Sequence, residues 1–336
     1  MKPLQGYSDC LIFSIDIQPL RGFEIITNFL LLAQISIVSL FFLFLHRILK
    51  TKPTMYNDKF QQRRQYLVSV HDDTMRRIYS DPEFKQAVAE GIENQVFIPH
   101  DKKIILPKAE DGKELKLRVS GLRTMEAAAP YVRDGKCVAV LNFASATTPG
   151  GGVKKGSSAQ EECLCRVSTL LPCLDSEMPH RLFYNPHRKT RNPLHNDDII
   201  YTRDVLVIKD DDYNPLDEPF YVDVITCAAP NLRENPSNGL NPDEGKPASI
   251  SNAELLELHK SRARKILVSA AYNEADVVIL GAFGCGVFRN PPEVVASAYK
   301  TVVDEFRGYF DAIEFAVYCR PGDSRNYDVF KRVLGK

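Results

Sequence analysis

Charge of one sign is what this chain lacks first. Its 43 lysines and arginines face 43 aspartates and glutamates, a formal net charge of +0, and no long run carries a single sign. A broad electrostatic grip on nucleic acid needs a basic face, so direct DNA binding is not expected. Among the eight cysteines there is no C-x-x-C pair, and no His/Cys array stands at zinc spacing. Cys163-Leu164-Cys165 is too tight for a usual structural zinc knuckle, so no metal site is expected. The cysteines read instead as reduced, mostly buried thiols, which implies a reducing compartment. N-x-S/T acceptor sites are missing too, once Asn235-Pro236-Ser237 is excluded by its proline. No internal repeat is present. An apolar fraction of 44% and a charged fraction of 26% leave ample material for a core, in one large or two ordinary domains.

Long apolar runs are scarce except near the start. From Ile25 to Leu45 there are 21 residues without a charge, enough to cross a bilayer as a helix. The run starts late and no small-residue cleavage site follows Leu45, which disfavours a cleaved signal peptide. Arg47, Lys50, Lys52, Lys59, Arg63 and Arg64 follow it, against Lys2 and Arg21 before it. That bias predicts a single membrane anchor with the large C-terminal part facing the cytoplasm. Met55 is an alternative start, from which the product would lie in the cytosol or nucleus. The expected organisation is a tail with its hydrophobic segment over residues 1–54 and one domain over 55–336.

Within that domain, periodicity predicts helices near Lys59 to Ser80 and Phe84 to Gly91, and another from Thr124 to Asp134, capped by Thr124 and ended by Gly135. Further helices are expected at Ser157 to Leu171, Asn252 to Asn273, Pro292 to Phe306 and Asn326 to Val333. Short strands are expected at Val96 to Ile98 and Leu115 to Val119. Apolar strands are expected at Cys137 to Phe143, Tyr221 to Ala228, Val277 to Ala282 and Ile313 to Tyr318. Ile199 to Tyr201 and Val205 to Ile208 read as shorter, edge-type strands. Apolar strands alternating with helices point to an α/β fold in three layers, a central mixed sheet covered on both faces. Asn231 to Ser251, rich in Pro, Asn and Gly, reads as a long surface loop.

Ligands of open α/β sheets settle beyond the carboxyl ends of the strands. Two glycine-rich loops directly follow strands here: Thr147-Thr148-Pro149-Gly150-Gly151-Gly152, and Gly281-Ala282-Phe283-Gly284-Cys285-Gly286-Val287-Phe288-Arg289-Asn290. Their backbone N–H groups suit an anion, and the two together would bracket a diphosphate. Neither is a P-loop, since no Gly-Lys-Ser/Thr follows, and neither is a clean dinucleotide fingerprint. After a seven-residue gap beyond Gly152 come Gln160, Glu161 and Glu162, at an expected helix start beside Ser157 and Ser158. Adjacent helical residues point about 100° apart, so Glu161 and Glu162 cannot share one job. Asn142, near the end of its strand, offers an amide to ribose hydroxyls. Taken singly, Gly284-x-Gly286 is equally a tight turn, Asn142 a satisfied buried amide, and the glutamates first-turn acids favoured by the helix dipole. A general acid must be protonated; burial and a like-charged neighbour are expected to outweigh the dipole.

Gly150-Gly151-Gly152-x7-Gln160-Glu161-Glu162 resembles the G-G-G-x(6–8)-Q-E-E motif of poly(ADP-ribose) glycohydrolases. The segments Leu141 to Pro149, Gln160 to Arg166 and Gly281 to Asn290 resemble the compact microbial type, with weaker echoes at Asp73-Thr74 and Ala228 to Asn231. The resemblance covers about residues 60–335. It implies a macrodomain-like fold and hydrolysis of the ribose–ribose O-glycosidic bond of poly(ADP-ribose), free or on modified proteins, with no cofactor. By motif position Glu162 would be the general acid and base, while Glu161 and Asn142 would hold the terminal ribose hydroxyls. Gly150, Gly151 and Gly152 with Gly284, Cys285, Gly286 and Val287 would wrap the diphosphate. Phe288 would orient the terminal ribose and Gln160 would support the glutamates. Two rival readings keep the cleft but change the outcome: a non-catalytic ADP-ribose reader, and a hydrolase of mono-ADP-ribosyl adducts or O-acetyl-ADP-ribose.

Overall fold

The structure, a computed structural model, describes residues 40–41, 58–237, 244–320 and 322–335. By packing, the chain divides into Met1–Gln61 and Gln62–Lys336. In the first unit Leu40 and Phe41 are helical and exposed, and the described residues from 58 onward are helical. The membrane-spanning helix expected at 25–45, and with it the membrane-anchored localisation, is corrected. No helix among the described residues is long and apolar enough to cross a membrane. Apart from Leu40 and Phe41, that segment lies outside the described residues.

The elements in chain order are α1 (58–80), α2 (Pro82–Glu93), β1 (Val96–Ile98), β2 (Lys116–Ser120), α3 (Thr124–Arg133) and β3 (Val138–Ala144). After them come α4 (Gln160–Val167), α5 (Leu170–Leu174), α6 (Glu177–Pro179), α7 (Asn185–Thr190), β4 (Ile199–Lys209) and β5 (Pro215–Ala228). The last are α8 (Asn252–Tyr272), β6 (Val277–Leu280), α9 (Pro292–Val303), β7 (Ala312–Ala316) and α10 (Arg325–Leu334). The strands form one seven-stranded sheet in the order β1-β4-β5-β3-β6-β7-β2. β5, β3, β6, β7 and β2 are mutually parallel, so their carboxyl ends share one edge. β4 runs antiparallel to β5 and to β1, which makes the sheet mixed.

Side chains alternate across a strand, and β3 shows what this does at the centre of the sheet. Ala139 and Leu141 enter a core with Ile266 and Leu267 of α8, Tyr299 and Val302 of α9 and Phe330 of α10. Val138 and Val140 enter the opposite core, with Ala128 of α3, Leu164 of α4 and Leu171 of α5. Helices thus cover both faces. The same alternation turns Asn142 toward the α4 side and Phe143 toward the α8 side, where its ring meets Phe283 edge-on at 5.6 Å.

Three local expectations fail for tertiary reasons. The helix expected over 157–171 is two helices, because Ser168 is extended (φ −145°, ψ 175°) and bridges Val207 of β4. Thr169 secures the break: its N–H donates to Leu206 O at 2.9 Å and its Oγ1 accepts from Leu206 N at 3.0 Å. Side-chain oxygens of Ser and Thr compete with the helix in this way. The two short strands expected near 199–208 are one strand interrupted by a bulge between Thr202 and Val205, and it lies inside the sheet. Thr124 does not cap α3; Arg123 holds that position, and Glu126 accepts from the Arg123 N–H at 3.1 Å.

Among the described cysteines, none is in a disulfide. Cys165, Cys173 and Cys227 are buried, Cys163, Cys285 and Cys319 half-buried, and Cys137 exposed. Leu141 is fully buried on the central strand. Leu141→Ala should therefore cost about 2–5 kcal/mol of unfolding free energy, read as a lower urea midpoint at unchanged slope.

Candidate active site

The site grows from the carboxyl end of β3. Gln160, the first residue of α4, accepts from the Phe143 N–H at 2.8 Å and donates to Leu141 O at 2.7 Å and to Thr124 Oγ1 at 3.1 Å. One amide thus fixes where α4 begins against the strand and against the start of α3. Neither serine at 157–158 caps α4; Ala159 precedes it with no side-chain cap. The loop before α4 is held from below by Arg166. Its buried guanidinium donates to Val153 O at 3.4 Å, to Ser157 O and, from Nε, to Leu67 O of α1 at 3.0 Å.

That start aims Glu161 and Glu162 into the sheet edge, 3% and 7% exposed. Glu161 accepts from the Ser145 N–H at 2.8 Å and from Asn142 Nδ2 at 3.4 Å. Asn142 also donates to Thr226 Oγ1 at 3.2 Å, its register partner on β5. Glu162 Oε1 accepts from the Gly152 N–H at 2.9 Å. Two acceptor atoms are left buried and without a partner: Glu162 Oε2 and Asn142 Oδ1. Native interiors rarely tolerate this, and such orphans mark places where an external group binds or reacts.

Burial pushes the Glu161 carboxyl well above the ordinary glutamate range, against the Ser145 N–H that draws it down and with the Glu162 charge that drives it further up. The Glu162 carboxyl is also raised by burial, opposed by the Gly152 N–H and by the Arg166 charge. Burial therefore outweighs the opposing hydrogen bonds at both carboxyls, and both are shifted toward the protonated form that a general acid needs.

Gly151 explains the glycine run. At φ +55° it lies in the left-handed region, and a Cβ there would stand 2.7 Å from Glu162 Oε1 and 3.1 Å from Glu161 Oε2. The second loop is built around Asn290, whose amide donates to Pro230 O at 2.7 Å and Gly284 O at 3.1 Å while its Oδ1 meets His259 Nε2 at 2.9 Å. Gly284, at φ +75°, has no room for a Cβ, which would stand 2.6 Å from Asn290 Nδ2. Gly286 and Val287 form an exposed lip, and Phe288 is half-buried. Burial pushes the Cys285 thiol up, so it stays protonated and is a poor nucleophile at neutral pH.

Asn142, Gly150, Gly151, Gly152, Gln160, Glu161 and Glu162 thus meet in one place. Among the described residues, Gly284, Cys285, Gly286 and Val287 share no hydrogen bond with the glutamates. The link runs through residues that sequence spacing did not single out. Leu232 N donates to Phe288 O at 2.9 Å, the Phe288 ring stands 6.1 Å from that of His195, and His195 pairs with Glu244. Glu244 in turn accepts from Thr147 of the first loop at 3.3 Å. Thr124, Thr226, His195 and Glu244 lie in separate segments with no spacing signal to connect them. Among the described residues, no three His, Cys, Asp or Glu side chains gather as a metal ion would need.

The family described as "Microbial-type PARG, catalytic domain" matches residues 73–210. Among solved structures, the chain is similar to poly(ADP-ribose) glycohydrolase from Thermomonospora curvata, at 30% identity and TM-score 0.71 over 80% of this chain and 99% of that one. The same enzyme bound to the inhibitor ADP-HPD matches at TM-score 0.68 over the same shares and with 30% identity. Poly(ADP-ribose) glycohydrolase from Deinococcus radiodurans in complex with ADP-ribose matches at 31% identity and TM-score 0.64, over 74% of this chain and 96% of that one. Comparison with curated proteins gives no match.

The raised Glu162 carboxyl has a consequence for stability. A carboxyl whose folded pKa lies above its unfolded value contributes stability that is complete below about pH 4.3 and lost as pH rises through the folded value. Glu162→Gln keeps an oxygen for the Gly152 N–H and removes that loss. Its Tm should exceed wild type at about pH 8, and the gap should close on acidification to about pH 4; a gap independent of pH would refute the assignment.

Proposed function

We propose a mechanism from one premise: the chain belongs to the microbial-type poly(ADP-ribose) glycohydrolase family, and it hydrolyses the ribose–ribose O-glycosidic bond of poly(ADP-ribose), releasing ADP-ribose. In this mechanism Glu162 is the general acid and base. The observation that carries it is the asymmetry of its carboxyl: Oε1 is anchored by the Gly152 N–H, while Oε2 is buried with no partner. Burial shifts the group toward its protonated form, and from that form Oε2 can present its proton to the glycosidic oxygen. The bond from that oxygen to the anomeric carbon breaks, the leaving ribose takes the proton, and positive charge develops on the sugar. The Glu162 carboxylate then accepts a proton from water as the water oxygen bonds to the anomeric carbon, which restores the acid.

The other residues bind. Glu161 and the unpartnered Oδ1 of Asn142 suit the terminal ribose hydroxyls, which can donate to both. Gly150, Gly151 and Gly152 on one side and Gly284 to Val287 on the other line the path of the diphosphate, and Phe288 orients the ribose. Gln160 supports the pair by fixing the first turn of α4. A single residue serving both proton transfers departs from the two-carboxylate plan of most glycosidases. Of the rival readings, the non-catalytic reader has no use for a proton donor, and neither it nor a mono-ADP-ribosyl or O-acetyl-ADP-ribose hydrolase is favoured.

Labelled poly(ADP-ribose) tests the acid directly. Glu162→Gln should lower ADP-ribose release by at least about 10²-fold while ADP-ribose affinity stays within about threefold; near-normal turnover would move the acid elsewhere. Gly151→Ala pushes a methyl against both carboxyls and should lower release by at least about tenfold. Release at the wild-type rate would show that this glycine merely turns the chain.

A further inference from the structure

Glu244 follows a segment rich in Pro, Asn and Gly, yet its side chain is 0% exposed and lies 2.9 Å from the Nε2 of His195, itself 2% exposed. Its Oε2 also accepts from Asn231 Nδ2 at 3.2 Å, and its Oε1 accepts from Thr147 Oγ1 at 3.3 Å. On its other side the His195 ring reaches Ala229 O through Nδ1 at 2.7 Å. Acceptors at both ring nitrogens require a hydrogen on each of these contacts. The surroundings also hold His195 at φ +56°, a backbone state uncommon for a residue with a side chain.

Every group joined here stands on a loop. Thr147 follows β3, Ala229 and Asn231 follow β5, and His195 precedes β4. The Asn231 N–H adds a bond to Pro193 O at 2.7 Å, and Arg188 Nε donates to Thr147 O at 2.6 Å. Phe288 joins through its ring, 6.1 Å from that of His195, and through the Leu232 N–H on its carbonyl. Taking a carboxyl and an imidazole out of water is costly, and apolar residues of equal volume would hold loops together at least as stably. What a pair with directed partners adds is a fixed geometry.

We propose that Glu244 and His195 are positioning residues: a buried clamp that holds the loop bearing Gly150 to Gly152 at a fixed distance from the loop after β5 and from Phe288, and so sets the width of the ADP-ribose cleft. The clamp touches neither glutamate by a hydrogen bond and acts through Thr147 and Phe288. It rests on the reading that these two loops bind substrate. Loss of the clamp should therefore weaken binding of ADP-ribose and polymer more than it slows bond cleavage.

Glu244→Ala is compared with wild type for KM and kcat on labelled poly(ADP-ribose), and for ADP-ribose Kd by calorimetry. KM and Kd should each rise about tenfold, equivalent to about 1.4 kcal/mol, with kcat within about threefold. Glu244→Gln should recover part of the loss, because its amide oxygen still accepts from Thr147 and its N–H2 donates to His195 Nε2, while the bond from Asn231 Nδ2 is given up. A folded Glu244→Ala with wild-type KM and Kd overturns the clamp, as does a variant that loses kcat alone. Thr147→Val cuts one arm and leaves the buried pair whole, so it answers if Glu244→Ala does not fold. It should raise KM by about threefold, and an unchanged KM again overturns the proposal. A wild-type protein that binds ADP-ribose but releases none from polymer would instead count against the catalytic reading, which keeps the two failures apart.

Discussion

Two neighbouring carboxyls buried at the carboxyl end of the central strand are the constraint from which the site follows. Neither glutamate has a cation as its hydrogen-bond partner. Each is held by a backbone N–H of the loop that leads from β3 to α4, Ser145 for Glu161 and Gly152 for Glu162. A carboxylate with only such donors is under-solvated, so both carboxyls are pushed toward the protonated state. Arg166, whose charge lowers the Glu162 carboxyl, donates instead to the carbonyls of Leu67, Val153 and Ser157. It shapes the loop, and it only tempers the acid.

The loop has to pass close to both carboxyls while offering amides to one side and substrate to the other. Glycine at 151 permits this because any Cβ there would collide with the carboxyl oxygens. The sheet supplies the rigid half of the arrangement. Asn142 is fixed by its register with Thr226 on β5, and Gln160 is fixed by the backbone of Leu141 and Phe143. Loops tied down by side-chain hydrogen bonds thus meet the central strand of the sheet, which suits a reaction where one proton must be delivered to one oxygen.

Much of this was legible because the chemistry is local in the chain. The glycine run, Gln160, Glu161 and Glu162 fall within thirteen residues, between an apolar strand and an amphipathic helix start. Where local pattern misled, a distant partner had won. The helix expected through Ser168 broke because Leu206 of β4 offered Thr169 better hydrogen bonds than another helical turn. The two short strands near 199–208 merged because β5 pairs on both sides of a bulge. Thr124 looked like a cap, and its hydroxyl instead accepts from Gln160.

By itself the sequence determined the alternation of apolar strands and helices that makes a mixed sheet, the strand–loop–helix unit carrying Gly150 to Glu162, and the reaction family those residues serve. Backbone conformation and side-chain alternation act over a few residues, so they leave a trace in spacing. Only the tertiary structure decided the burial that raises the two carboxyls, the second loop's tie to the first, and the partners at Thr226, His195 and Glu244. Burial and hydrogen bonding act between groups far apart in the chain, 97 residues in the case of Thr147 and Glu244, and no periodicity in the chain records which distant groups will meet.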